Sequence, residues 1–335
     1  MRVSYEQLKN EIKRVFLSVG MDEADADICA AVHADSTNDG IYSHGVNRVA
    51  RFVQYAKKGW VDVKAKPTLY KAVGSIRVYD GNLGPGVLNA LFACDEAMKL
   101  ADEYGIGMVS LRNTTHWMRG GTYGLRAAEK GYAAIMWTNT EACMPVWGSK
   151  NARTGNNPLV MAAPRAGKAP LLLDMAISQY SYGKLQVTRL AGKQLPYPGG
   201  FDRDGKLTAD PAALEESRRM LPIGYWKGSG LAVMLDVLGG ILADGNTAVN
   251  LSEEQKGSCG ECSQVMIVIN PEKIASRESI VRTVEEAIAY VKAGEPDEHT
   301  REIRVPGEGA EAFHREHAEK GIYVDDKVWQ ELTAL

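Results

Sequence analysis

The sequence has no run of the ~18–20 uninterrupted apolar residues that a membrane-spanning helix needs. It opens on Met1-Arg2-Val3-Ser4-Tyr5-Glu6, an amphipathic pattern and not a secretory one. A cytoplasmic address with no membrane partner is the expectation. The five cysteines, Cys29, Cys94, Cys143, Cys259 and Cys262, are odd in number and scattered, which argues against a disulfide framework. Cys259-Gly260-Glu261-Cys262 is a lone C-x-x-C with no second pair and no nearby histidine, short of the four ligands of a structural zinc site. No metal is expected. A net charge of −3 supplies no electrostatic footprint for nucleic acid. Internal repeats and low-complexity segments are missing too. So is the dinucleotide fingerprint: Gly228-Ser229-Gly230 follows no clear strand and lacks a third spaced glycine and a partner acid in a βαβ unit. By that test the chain is not a Rossmann protein.

What is present is an ordinary globular composition, 335 residues with 45% hydrophobic and 24% charged, enough for two domains or one large one. Ser4 and Gln7 read as a capping box ahead of the stripe Leu8, Ile12, Val15 and Phe16, which stops at Gly20. A second helix is expected over 22–38. A third should start at Ser43 as N-cap and run through Val46, Val49, Phe52, Val53 and Ala56 to Gly59. Strands are expected at 75–80, 105–111, 133–138, 158–163, 171–175 and 264–269, with helices at 86–104, near 123–129 and at 231–242. The stretch 183–223 reads as loops with one short helix near 212–220, and from Ser276 to the end the pattern is helical. The turn 164–170 is too short for the crossover that parallel strands need. The expected fold is therefore α/β, with an antiparallel or mixed sheet over 75–270 and a discontinuous helical domain from both ends, 1–74 and 271–335.

His44 and Arg48 stand four residues apart, on one face of the expected helix. The first titrates near neutrality and the second carries a donor fork shaped for a carboxylate. The pair suits a small oxo or hydroxy acid, Arg48 holding the acid group and His44 serving the carbonyl or hydroxyl beside it; a surface His and Arg at a helix start is the plain alternative. His116 follows a strand end, where sites gather, and is either a second acid–base group or a hydrogen-bonded loop histidine. The stretch 148–158, dense in glycine and amides and including Asn156, reads as a ligand-reading loop or as a hairpin turn. Asp174 ends an apolar strand, placed to accept from ribose hydroxyls or to cap a turn. Trp226-Lys227-Gly228-Ser229-Gly230 reads as a phosphate cradle before a helix, and 304–309 as a second anion loop or a Pro-Gly turn.

Taken together, Ser43-His44-Gly45 with Arg48, the segment 113–116, Thr154-Gly155-Asn156-Asn157-Pro158, Asp174-Met175 and Pro306-Gly307 resemble, in this order, the second malate/L-lactate dehydrogenase family, which is unrelated to the Rossmann lactate dehydrogenases. The resemblance covers nearly the whole chain. It implies an NAD(P)H-dependent reductase of 2-oxo acids, diketo sugar acids among them, working as a homodimer with NADH or NADPH bound on a non-Rossmann sheet domain. It implies His44 as proton donor; the chemistry of the residues adds the expectation that Arg48 binds the substrate carboxylate and His116 orients the oxygen, with Ser43 and Asn156 also on the substrate. Cofactor contacts are implied at Pro170, Leu171, Leu172, Leu173, Asp174, Met175 and Ala176, at Trp226 and Lys227, and at Gly307, Glu308 and Gly309. Lys184, after Tyr182-Gly183, either alters substrate choice or is a surface residue. The competing activities are oxidation of malate, lactate, sulfolactate or ureidoglycolate and reduction of a cyclic imino acid. From a different class, the competitor is a non-catalytic protein that grips a carboxylate or sugar.

Overall fold

The strand Cys262–Ile269 is the middle of the molecule, and the alternation of its side chains shows why. Val265 packs to one side with Trp137, Leu159, Ala232 and Leu235, while Met266 and Val268 pack to the other with Leu111, Met136, Val160 and Leu172. A strand covered on both faces feeds two cores in turn. In this computed structural model, which describes residues 1–254, 256, 260–298 and 302–335, that strand is fourth in a seven-stranded sheet. The order is Thr68–Val73, Ile76–Asp80, Ile106–Thr114, Cys262–Ile269, Ala133–Thr138, Leu159–Ala163 and Leu171–Met175. Every neighbouring pair is antiparallel except Ile76–Asp80 with Ile106–Thr114. That parallel pair is joined by the helix Gly86–Tyr104, a crossover of the length parallel pairing requires. The sheet is mixed and mostly antiparallel, as expected.

Helices Gly86–Tyr104 and Gly121–Glu129 cover one face and helix Trp226–Ala243 the other. By length and a mean hydropathy of 1.3, Trp226–Ala243 is long and apolar enough to cross a membrane, although Lys227, Ser229 and Asp236 interrupt its apolar run. A second core joins the two ends of the chain. Leu8, Ile12, Val15 and Phe16 of helix Tyr5–Ser18 pack with Ala26 and Ala30 of helix Glu23–Asn38, with Val49, Phe52 and Val53 of helix Val49–Lys57, and with Ile322, Val324 and Leu332. Each fully buried side chain of this size contributes about 1.5–3 kcal/mol. The strand Arg2–Val3 pairs antiparallel with Ile322–Tyr323, fastening one terminus to the other.

The structure corrects the local reading in four places. The helix expected from Ser43 to Gly59 is broken: Tyr42–His44 and Val46–Arg48 are separate 3₁₀ turns, and the α-helix begins only at Val49. Thr68–Val73 is an unforeseen edge strand whose residues are all exposed, so no alternation marked it. The stretch after Gly183 is not merely loops. Helices Tyr182–Leu190 and Pro211–Ser217 and the short strands Gly200–Phe201, Leu207–Thr208 and Arg219–Met220 enclose their own core of Leu185, Leu195, Leu214 and Met220. Finally, the helical pattern after Ser276 divides into Arg277–Lys292, Ala310–Lys320 and Asp326–Ala334, with Val324 buried between elements and not helical. Cys259 lies outside the described residues; Cys262 is buried.

Candidate active site

The His44 segment is shaped by what lies beneath it. Gly45 packs on the end of helix Glu23–Asn38, where an added Cβ would lie 2.3 Å from Thr37 Oγ1 and 2.9 Å from the His33 carbonyl. No other residue fits so close an approach. The next amide, Val46 N–H, donates to Thr37 Oγ1 at 2.9 Å. This contact diverts the chain into two turns where the apolar periodicity of Val46, Val49 and Phe52 suggested one helix. Ser43 is therefore not an N-cap. Its Oγ lies 3.0 Å from His44 Nδ1, and its Cβ is so near Gly183 that a side chain there would close to 2.6 Å. The small lobe after residue 182 thus abuts the His44 turn.

His116 arrives from the other side of the molecule, two residues past the end of strand Ile106–Thr114. Its ring stacks on that of His44 with centroids 5.6 Å apart and planes at 20°. Met118 N–H donates to His116 Nδ1 at 2.9 Å, so the ring carries its proton on Nε2 and offers that N–H to whatever lies before it. One residue on, Arg119 is only 8% exposed and pairs with Asp39, the residue that ends helix Glu23–Asn38. His314 binds the same carboxylate.

Charge gathers here. Burial, then the positive charges of Arg48 and Arg119 and the neighbouring His33, hold the His44 pKa down to about 4. His116 is held well below its ordinary value by burial, then by Arg48, His44, Arg51 and His33. His33 lies underneath, 1% exposed. Its Nδ1–H donates to the Cys29 carbonyl at 2.7 Å, and its Nε2 has no hydrogen-bond partner among the described residues. Burial raises the carboxyl of Glu141, against the opposing charges of Arg218, Arg48 and Arg51. Both histidines are neutral in the free protein at pH 7. A bound carboxylate would offset the arginine charge and favour protonation of one ring.

The remaining sites anticipated from the sequence fall into two groups. Asn156 is half-buried, its Oδ1 accepting from Thr140 Oγ1 at 3.1 Å, while its carbonyl accepts from Ile177 N–H at 2.7 Å, two residues beyond Met175. Asn157 is wholly internal, spent on Thr140 and Ala232. The segments 170–176 and 307–309 come together. Leu172 N–H donates to the Pro306 carbonyl at 3.2 Å, and a Cβ on Gly307, which has φ +102°, would meet the Pro170 carbonyl at 3.0 Å. Leu172 sends its side chain into the core, so backbone and the residues around it form the accessible edge. Asp174 accepts from Gly121 N–H at 2.8 Å, the capping role that stood as the plain alternative, which uses one carboxylate oxygen. Glu308 is tied to Lys292 at 2.5 Å and to Val305 N–H at 3.0 Å, shaping its loop.

One reading is corrected. Helix Trp226–Ala243 begins before the Gly-Ser-Gly, and the amides of Lys227, Gly228 and Ser229 already bond the carbonyls of Gly224, Ile223 and Tyr225. No cradle of free N–H groups exists at those residues. What fits a cofactor is the side-chain pair: Trp226 is 65% exposed, and Lys227 is exposed beside it. The segment leading into them is hydrogen-bonded to the chain just beyond Met175, Ile223 N–H to the Ile177 carbonyl at 2.9 Å and Gln179 N–H to that of Leu221 at 2.7 Å. Lys184 is exposed, its N–H capped by Ser181. Sequence reasoning missed Thr37, Asp39, Arg119 and Glu141; the only local signal was the Arg119-Gly120-Gly121 run after His116.

A family model for malate/L-lactate dehydrogenase matches residues 3–333. A 2,3-diketo-L-gulonate reductase of Escherichia coli O127:H6 (strain E2348/69 / EPEC) is 43% identical over 336 aligned positions, covering 100% of both chains. Among solved structures, the sulfolactate dehydrogenase of Methanocaldococcus jannaschii is similar at 31% identity and a TM-score of 0.87, covering 99% of this chain and 95% of that one. The delta1-piperideine-2-carboxylate reductase of Pseudomonas syringae pvar. tomato is similar at 27% identity and a TM-score of 0.88, covering 100% and 99%. The chain belongs to the malate/L-lactate dehydrogenase family, oxidoreductases of hydroxy and oxo acids.

Proposed function

We propose that this oxidoreductase is an NAD(P)H-dependent reductase of a diketo sugar acid, with 2,3-diketo-L-gulonate as its substrate and NADH as its first cofactor. The observation that carries the reading is the stacked pair of His44 and His116 beside Arg48, with one ring fixed as a donor and the other able to exchange its proton. Substrate class follows the relative that is 43% identical over its full length.

When bound, a reduced nicotinamide supplies hydride to the keto carbon. Residues 170–176, Trp226, Lys227 and 307–309 would hold it. Arg48 takes the carboxylate, since its planar fork makes two parallel bonds to that group. His116 Nε2–H donates to the keto oxygen. His44 protonates that oxygen as the C–O double bond becomes single, and leaves as the neutral ring. Ser43 steadies His44, and Asn156 faces the substrate. Lys184 lies at the surface next to Gly183 and touches substrate choice only at the rim.

The partner we propose is a second copy of the chain. Val233, Met234, Val237, Leu238 and Ile241 are exposed along helix Trp226–Ala243, an apolar face of the kind that marks a contact between subunits. Ile241→Glu should shift the mass seen by light scattering toward the monomer; an unchanged mass would place the contact elsewhere. The protein acts, on this reading, in the cytoplasm, away from membranes and nucleic acid. The division we propose is the two ends (1–74 and 271–335) as one part and 75–270 as the other, with strand Thr68–Val73 of the first part added to the sheet of the second.

The test is the oxidation of NADH, followed optically, with 2,3-diketo-L-gulonate beside pyruvate, oxaloacetate, sulfopyruvate and a cyclic imine, and with NADPH in parallel. Turnover of the diketo acid in preference to the others is expected. Preference for another acid would keep the mechanism and move the substrate. No turnover and no cofactor binding would turn the reading toward a carboxylate-binding protein.

A further inference from the structure

The two histidine-bearing segments come from distant parts of the chain, and both rest on the same three residues' worth of helix end. Thr37 is fully buried. Its hydroxyl donates to the His33 carbonyl at 2.7 Å and accepts Val46 N–H at 2.9 Å. The first bond orients the hydroxyl so that its lone pair meets the amide; the second fixes the turn just after His44. Gly45 lies against the same oxygen, too close for any side chain. Two residues later Asp39 closes the helix and binds Arg119, three residues after His116. Met118, between them, holds the His116 ring through its amide. The Arg119 guanidinium is nearly enclosed, with Nε lacking a partner among the described residues, and Asp39 is the carboxylate that anchors it. Asp39 also binds His314.

We propose that Thr37 and Asp39 are positioning residues, which set the 5.6 Å stack of His44 on His116 from the end of helix Glu23–Asn38. Thr37 acts through His44 and Asp39 through His116; neither touches the substrate. The inference rests on the reading of His44 as proton donor. Displacement of a catalytic group by about an ångström costs on the order of 100-fold in rate, and a merely structural residue would lower the amount of folded enzyme without that loss.

The decisive experiment is a double-mutant cycle on the full-length enzyme, with NADH and the acid it reduces, read as kcat per folded active site. Thr37→Val keeps shape and removes both bonds; Thr37→Ser keeps the hydroxyl. Thr37→Val should lower kcat roughly 10- to 100-fold and leave the Kd for NADH, measured by fluorescence titration, within about twofold of wild type. Thr37→Ser should recover most of the loss. In a His44→Gln background Thr37→Val should cost nothing further, because residues that act as one unit are not additive. A kcat within about twofold of wild type in Thr37→Val, or an equal additional loss in the His44→Gln background, would overturn the proposal while leaving the function intact. Full activity in His44→Gln alone would remove His44 as the proton donor, and the inference with it, while leaving the reductase reading in place. Should Thr37→Val fail to fold, Asp39→Asn in wild-type and His116→Gln backgrounds puts the same question through Arg119.

Discussion

The imidazoles of His44 and His116 lie face to face, 5.6 Å between centroids, yet they are not equivalent. His116 Nδ1 is occupied by Met118 N–H at 2.9 Å; a second proton on that ring would abolish the bond. His44 Nδ1 meets only the rotatable hydroxyl of Ser43 at 3.0 Å, which serves as donor or acceptor. One ring can cycle a proton and the other can only lend one. His44→Gln should therefore lose ~10²–10⁴-fold in kcat, and His116→Gln distinctly less. Steady-state kinetics on both variants settles the order, and a greater loss at His116 would exchange the two roles.

Arg48→Lys should raise the KM for the oxo acid about tenfold or more with a smaller change in kcat, since a lysine ammonium cannot make two parallel bonds to a carboxylate. An unaltered KM would take Arg48 out of the carboxylate clamp.

The pH dependence follows from the histidines. His44 in the free enzyme has its pKa held to about 4 by burial, then by Arg48 and Arg119. Reduction consumes its proton, so kcat/KM for the oxo acid should decline as pH rises from 5 to 8, by up to about tenfold per unit, while oxidation of the hydroxy acid should rise. A profile for reduction that climbs over this range would exclude His44 as the acid.

Stability has its own signature, carried by His33. Its pKa when folded is about 4, lowered first by burial, against about 6.5 unfolded. The unfolded chain then binds more protons between these values. Its contribution is complete above pH 6.5 and is lost as pH falls toward 4, by about 2 kcal/mol at pH 5. His33→Leu should flatten the fall in Tm between pH 7 and 5 relative to wild type. An equally steep fall in the variant would assign the loss to other groups.

How far the sequence could be read depended on whether the cause was local. Helix Gly86–Tyr104 was legible at both ends, with Pro85 before it and Gly105, at φ +84°, after it. Ala133–Thr138 and Leu171–Met175 are short apolar runs between turns. Thr68–Val73 buries no residue, so hydrophobic patterning had nothing to report. The break at Gly45 was hidden because its cause, Thr37 Oγ1, sits on a neighbouring helix. The site divides in the same way. His44, Arg48 and His116 announce chemistry by residue type alone, whereas Arg119 and Asp39 acquire meaning only by pairing across 80 positions. No periodicity carries that information.

Gly307 is the sharpest test of the cofactor edge. Its φ of +102° lies where side chains are strained, and a Cβ there would press on the Pro170 carbonyl at 3.0 Å and on Leu172 N at 3.1 Å. Those are backbone atoms of the sheet's last strand and its approach, which cannot swing aside as a flexible side chain would. Gly307→Ala must therefore separate the 306–309 loop from the strand, weakening the bond from Leu172 N–H to the Pro306 carbonyl. If the two segments together hold the dinucleotide, Kd for NADH should rise about tenfold or more, with the KM for the oxo acid changing less once NADH is saturating. Fluorescence titration of NADH measures the first quantity directly. The His44–His116 pair has no contact with this loop among the described residues, so a variant that kept its NADH affinity and lost kcat instead would show that the loop serves the chemistry and not the cofactor.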